Sequence, residues 1–147
     1  MDNYLFRIEQ INSLYQTYAF LCQQRERPKI YKDIKEFQFA KENLFILLIS
    51  QLYSLFDKSG LDIRKIETTD ELLIEIKKDW EKVEKQTTKI RHNLGFHGSK
   101  DIQGIRNATS AFNYLGKDGT ETIMGFFQKL NALKINYLKQ KITHTND

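Results

Sequence analysis

Leu73, Ile76, Trp80, Val83, Thr87, Ile90 and Leu94 follow one another at alternating steps of three and four residues. An α-helix, with 3.6 residues per turn, puts such a series on one face, and a strand does not. A helix with so long an apolar stripe must bury it against other helices with stripes of their own. The rest of the chain supplies them.

The first segment repeats the pattern with Tyr4, Ile8, Ile11, Tyr15, Tyr18 and Cys22, widened by Leu5, Leu14 and Leu21. Residues 23–33, which hold Pro28 and several charges, read as a connection. A second segment, from about residue 36 to 58, is apolar on nearly every face and includes Phe37, Phe39, Phe45, Leu48, Ile49, Leu52 and Phe56. Such a helix sits at the centre of a bundle or is covered in part by another subunit. Ser59-Gly60 is expected to end it, and residues 57–67 read as a polar loop. Thr68-Thr69-Asp70-Glu71 fits a capping box with Thr68 as N-cap, opening the third helix. Residues 99–119 are mixed, with a short extra helix expected over about 105–115. After the turn signal Asp118-Gly119-Thr120, a last long helix carries Ile123, Phe126, Phe127, Leu130, Leu133, Tyr137 and Leu138. The sequence thus predicts an all-α fold, an antiparallel four-helix bundle with a short extra helix, in a single domain over residues 1–147. Residues 143–147 are expected to fray.

Composition agrees. Only one Pro and 7 Gly interrupt 147 residues, which favours long helices over a many-turned β fold. The apolar fraction of 40% and the 10 Phe exclude a disordered composition. A single cysteine, Cys22, excludes an internal disulfide and a multi-cysteine zinc site. Because it continues an apolar stripe, Cys22 is expected to be a small core residue. The N-terminus lacks a basic stretch followed by an apolar core, and the longest strictly apolar run, Leu44 to Ile49, is far too short for a membrane span. A cytoplasmic protein without a membrane partner is expected. The net charge of +4 permits a nucleic-acid partner without requiring one.

The chemistry concentrates where the third stripe ends, in Arg91-His92-Asn93-Leu94-Gly95-Phe96-His97. Arginine is a permanent cation that binds planar oxyanions through two hydrogen bonds, and histidine exchanges protons near neutral pH. RNA carries its own nucleophile, the 2′-hydroxyl beside each phosphate. A protein that cleaves it needs a group to move protons and a cation to steady the phosphorane, roles that His97 and Arg91 match. On one straight helix the two lie about 120° apart and about 9 Å along the axis, so a long Arg side chain, unwinding near Gly95, or a second copy of the motif is needed to bring them to one phosphate. Asn93, four residues before His97, shares its face and is placed to orient the imidazole or touch substrate. His92 and Lys89 are the candidate substrate-binding residues. The bland alternative is that His97 caps the helix and Arg91 is a surface ion-pair partner.

Lys89-Ile90-Arg91-His92-Asn93-Leu94-Gly95-Phe96-His97 resembles the signature of the HEPN superfamily (higher eukaryotes and prokaryotes nucleotide-binding): Arg, a polar residue soon after it, and His after a gap of four to six. Here the gap is five. The four-helix layout and Leu52-Tyr53-Ser54-Leu55-Phe56-Asp57 in a hydrophobic second helix also resemble small stand-alone HEPN proteins of abortive-infection and toxin systems. The resemblance implies a homodimer that brings two motifs together in a composite cleft. It implies a metal-independent endoribonuclease that leaves a cyclic phosphate or 3′-phosphate and a 5′-hydroxyl. Arg91 and His97 carry over as the catalytic pair, and Asn93 or His92 as the polar helper. RNA and an antitoxin protein are the implied partners, and no cofactor is expected. HEPN toxins modified by a partner nucleotidyltransferase carry Tyr two residues after the His; here Ser99 stands there, so regulation of that kind is not expected. Many HEPN proteins are inactive, so a silent module that binds a protein or nucleotide is the alternative.

Weaker signals resolve to ordinary structure. Gly116-Lys117-Asp118-Gly119-Thr120 lacks the phosphate-loop pattern and reads as a turn. His92, His97 and His144 do not have metal-ligand spacing, so no metal site is expected. The lysines of the last helix, Lys129, Lys134, Lys139 and Lys141, read as a solvated face more readily than as an RNA-backbone contact.

Overall fold

The computed structural model describes residues 2–66, 70–93 and 120–145, with side chains over 3–66, 70–92 and 123–136. Four long helices carry it: α1 (Asp2–Gln23), α2 (Ile34–Tyr53), α3 (Glu71–Asn93) and α4 (Thr120–Thr145). A single 3-10 turn, Ile63–Lys65, lies between α2 and α3. Each helix packs mainly on two others, α1 on α2 and α4, and α3 on α2 and α4, which closes a helical bundle. The expected extra helix, the motif residue His97 and the Gly116–Thr120 turn up to Gly119 fall outside the described residues.

The stripes became the core. Leu73, Ile76, Trp80, Val83, Thr87 and Ile90 are all buried, and they meet Ile8 and Ile11 of α1, Phe45, Leu48, Ile49 and Leu52 of α2, and Phe126, Phe127 and Leu130 of α4. Paired contacts give two relative directions. Glu9 meets Lys134 at 3.2 Å, Asn12 meets Asn131 at 3.5 Å, and the rings of Tyr15 and Phe127 stack at 4.4 Å, so α1 and α4 are antiparallel. Arg7 bonds Gln51 while Tyr18 packs on Phe45 at 5.4 Å, so α1 and α2 are antiparallel as well.

Several local expectations are corrected. α2 starts at Ile34, because the Asp33 carboxylate accepts the Glu36 N–H at 2.8 Å as N-cap, and Glu36 in turn accepts the Lys32 N–H at 3.0 Å. It stops at Tyr53, five residues before the expected Lys58. The Ser54 hydroxyl donates to the Gln51 carbonyl at 2.5 Å, and the chain then turns so that Leu55 and Phe56 enter the core from outside the helix. Residues 57–67 are not a plain polar loop either: Asp62 and Ile63 are buried there. At the start of α3, Asp70 does the capping expected of Thr68, which lies outside the described residues. The Asp70 carboxylate accepts the Leu72 N–H at 2.9 Å, and its carbonyl accepts the Ile74 N–H at 3.2 Å. Cys22 is exposed rather than a core residue. Lys129 and Lys134 are not a free solvated face. Lys129 bonds Asp79 of α3 at 2.5 Å and lies 3.6 Å from Glu75, and Lys134 pairs with Glu9 of α1.

Candidate functional site

The turn that leaves α2 builds one wall of the site. Phe56 stacks on Trp80 with ring centroids 4.1 Å apart and planes 4° from parallel, which anchors the chain just beyond the helix. From there a tight hairpin forms. The Asp57 N–H donates to the Leu61 carbonyl at 3.0 Å, the Ile63 N–H to the Leu55 carbonyl at 2.7 Å, and Phe56 and Asp62 form an antiparallel bridge. Arg64 locks it from inside. Its guanidinium donates to the Asp62 carboxylate at 2.8 and 3.2 Å and to the Phe56 carbonyl at 2.7 Å, and it lies 3.6 Å from Glu84 of α3. Tyr4 of α1 adds a bond from its hydroxyl to the Asp62 carbonyl at 3.2 Å.

This arrangement holds Tyr53, the last residue of α2, beside the C-terminal half of α3. The Tyr53 ring lies edge-on to Trp80 at 6.1 Å and to His92 at 6.2 Å, and the Arg91 guanidinium carbon sits 4.5 Å from its ring centroid. Attraction between a guanidinium and an aromatic face orients the cation without neutralising it. Among the described residues no carboxylate lies within ion-pair distance of Arg91.

Asp57 interacts electrostatically with Arg91. Its carboxylate is held below the ordinary value of 3.8, first by the Ser59 hydroxyl, then by the Ser59 N–H, with the Arg91 charge pulling in the same direction. The Ser59 bonds are 2.8 and 3.0 Å long. Asp62 is lowered too: its burial works to raise it, and the hydrogen bonds from the Arg64 side chain and backbone outweigh that burial.

The structure therefore brings Arg91 and His92 together with Tyr53 and Asp57, from a stretch some forty residues earlier. Arg91 is half-buried and His92 exposed; Lys89 is half-buried on the preceding turn. Asn93 is the last residue of α3, and His97 lies outside the described residues. The sequence motif did not reveal Tyr53 and Asp57 as its neighbours, although Leu52–Asp57 stood out as a distinct stretch. The available signal was an aromatic residue and an acid four apart at the end of an apolar helix. No group of three or more His, Cys, Asp or Glu side chains among the described residues is placed to hold a metal ion. No helix among them is long and apolar enough to cross a membrane. Comparison of the chain with protein-family models, with curated proteins and with solved structures finds no match.

Proposed function

We propose that this chain is a HEPN-type endoribonuclease of a defence or toxin-antitoxin system, cleaving RNA without a metal at the Arg91–His97 motif. The observation that carries the reading is the posture of Arg91: a guanidinium at the end of α3, set on the Tyr53 ring and beside an exposed imidazole, with no carboxylate of the described residues in ion-pair contact. That is what a phosphate-binding cation requires.

In the proposed reaction the RNA 2′-oxygen attacks the adjacent phosphorus and the 5′-oxygen of the next nucleotide leaves. His97 takes the 2′-hydroxyl proton, and the leaving oxygen receives a proton from an imidazolium or from water. Arg91 steadies the negative charge on the non-bridging oxygens of the phosphorane. The products are a 2′,3′-cyclic phosphate and a 5′-hydroxyl. Asn93 is assigned to orient His97, and His92 and Lys89 to the RNA backbone. In the fuller form of this reading, a second copy of the chain contributes its own motif to the cleft, and an antitoxin protein silences it.

The test is purified protein with a mixed RNA pool in EDTA, beside His97→Ala. Cleavage by the wild type giving 5′-hydroxyl ends, reduced at least ~100-fold in the variant, is expected. RNA binding without cleavage by either protein overturns the nuclease and supports the silent binding module.

A further inference from the structure

The connection between α1 and α2 gathers most of the chain's positive charge. From residue 24 to residue 41 six cations, Arg25, Arg27, Lys29, Lys32, Lys35 and Lys41, stand against three acids, Glu26, Asp33 and Glu36, a net +3 of the chain's +4. Among the described residues none of the six cations has a carboxylate within ion-pair distance. Two of the acids are turned to the start of α2, where Asp33 accepts the Glu36 N–H and Glu36 accepts the Lys32 N–H.

The same stretch exposes apolar side chains. Ile30 is 82% exposed, the most exposed large apolar side chain among the described residues, and Ile34 and Phe39 are 61% and 53% exposed. Ile30 is not on a loose end. The Pro28 carbonyl accepts the Tyr31 N–H at 3.1 Å, which closes a β-turn with Ile30 at its third position. The Arg27 guanidinium donates to the Tyr31 carbonyl, and the Tyr31 ring packs 5.2 Å from the ring of Phe37, which is buried. The turn is thus tied to the bundle, and Ile30 projects from it close to Lys29 and Lys32. An isoleucine so placed adds almost no burial to the fold.

The chemistry of the patch selects among anionic partners. Single-stranded RNA is held on flat rings that stack against its bases. Ile30 and Ile34 have no such face, and the ring of Phe39 has Lys35 Nζ 6.0 Å from its centroid. Nucleic-acid backbone binding calls for cations and gives no place to exposed isoleucines. An amphipathic protein segment lies in a groove, whereas Ile30 stands out from a turn. Projecting apolar side chains among lysines and arginines match a bilayer interface: the apolar groups enter between the headgroups while the long cationic side chains stay level with the lipid phosphates.

We propose that the Pro28–Tyr31 turn and the first turn of α2 dock on an anionic bilayer surface, with Ile30 and Ile34 inserted among the headgroups and Lys29, Lys32 and Lys35 on the lipid phosphates. Peripheral contact of this kind requires no spanning helix. It shares no residue with the Arg91 cluster, and it stands or falls independently of RNA cleavage.

Co-sedimentation of the intact chain with vesicles tests it, using phosphatidylcholine alone and phosphatidylcholine mixed in equal parts with phosphatidylglycerol. The wild type should bind the mixed vesicles and not the neutral ones, and added salt should weaken the binding. Ile30→Ser should weaken it at least ~10-fold, and Lys29→Glu combined with Lys32→Glu at least ~10-fold, each with helical content unchanged. No binding to the mixed vesicles, equal binding to both kinds, or Ile30→Ser binding as tightly as wild type overturns the proposal. RNA held in place of the vesicles, and released by the double lysine variant, would assign the patch to nucleic acid and overturn it equally.

Discussion

Tyr53 decides the posture of Arg91. Its ring face holds the guanidinium and its edge meets His92 and Trp80. Tyr53→Phe keeps the ring and should keep RNA cleavage within a few-fold, whereas Tyr53→Leu removes the cation–π contact and should lower cleavage about 10-fold. Initial rates on one RNA check this, and equal rates for both variants would detach Tyr53 from function. Thr87 makes a second case at this scale. It occupies a stripe position and is completely buried, yet its hydroxyl finds no partner among the described residues. Thr87→Val should therefore be neutral or stabilise by about 1 kcal/mol in a denaturant titration, and a loss of stability of that size would show that the hydroxyl is bonded.

Among the elements, the helices were legible because their signal is local. The spacing of Leu73 through Ile90 requires no knowledge of the rest of the chain, and those residues proved buried as a set. The start of α2 was also legible, in Asp33 and Glu36, though apolar density drew the expected boundary further in. Its end was not. Leu55 and Phe56 continue the apolar run, but the chain leaves the helix at Tyr53, where Phe56 stacks on Trp80 and the Arg64-locked hairpin holds Leu55 and Phe56 through their carbonyls. For the same reason the nearness of Tyr53 and Asp57 to Arg91 could not be read from either stretch alone. The hairpin also predicts a pH response. Asp57 and Asp62 both have folded-state values below those of the unfolded chain. Their contribution is fully present above about pH 4 and is lost as the pH falls through the lower folded-state values. Amide protection of residues 56–63, corrected for the intrinsic exchange rate at each pH, should fall below about pH 4. Asp62→Asn should flatten that response, and a rate of opening independent of pH over this range would contradict the assignment.

For the whole molecule, Trp80 joins the parts. It stacks on Phe56, meets Tyr53, and lies edge-on to Phe126 of α4 at 6.3 Å. Trp80→Ala should cost about 3–5 kcal/mol in urea unfolding and disturb the Arg91 cluster with it; a loss under 1 kcal/mol would mean that the core closes without it. The bundle thus places a permanent cation at a helix end, orients it on a ring, and leaves it out of ion-pair contact with any described carboxylate. The most direct test of that account is the rate of RNA cleavage in EDTA by wild type and Arg91→Ala, compared at equal folded fraction. The account predicts 5′-hydroxyl ends from the wild type and a rate at least ~100-fold lower in Arg91→Ala. Cleavage undiminished in Arg91→Ala would contradict it.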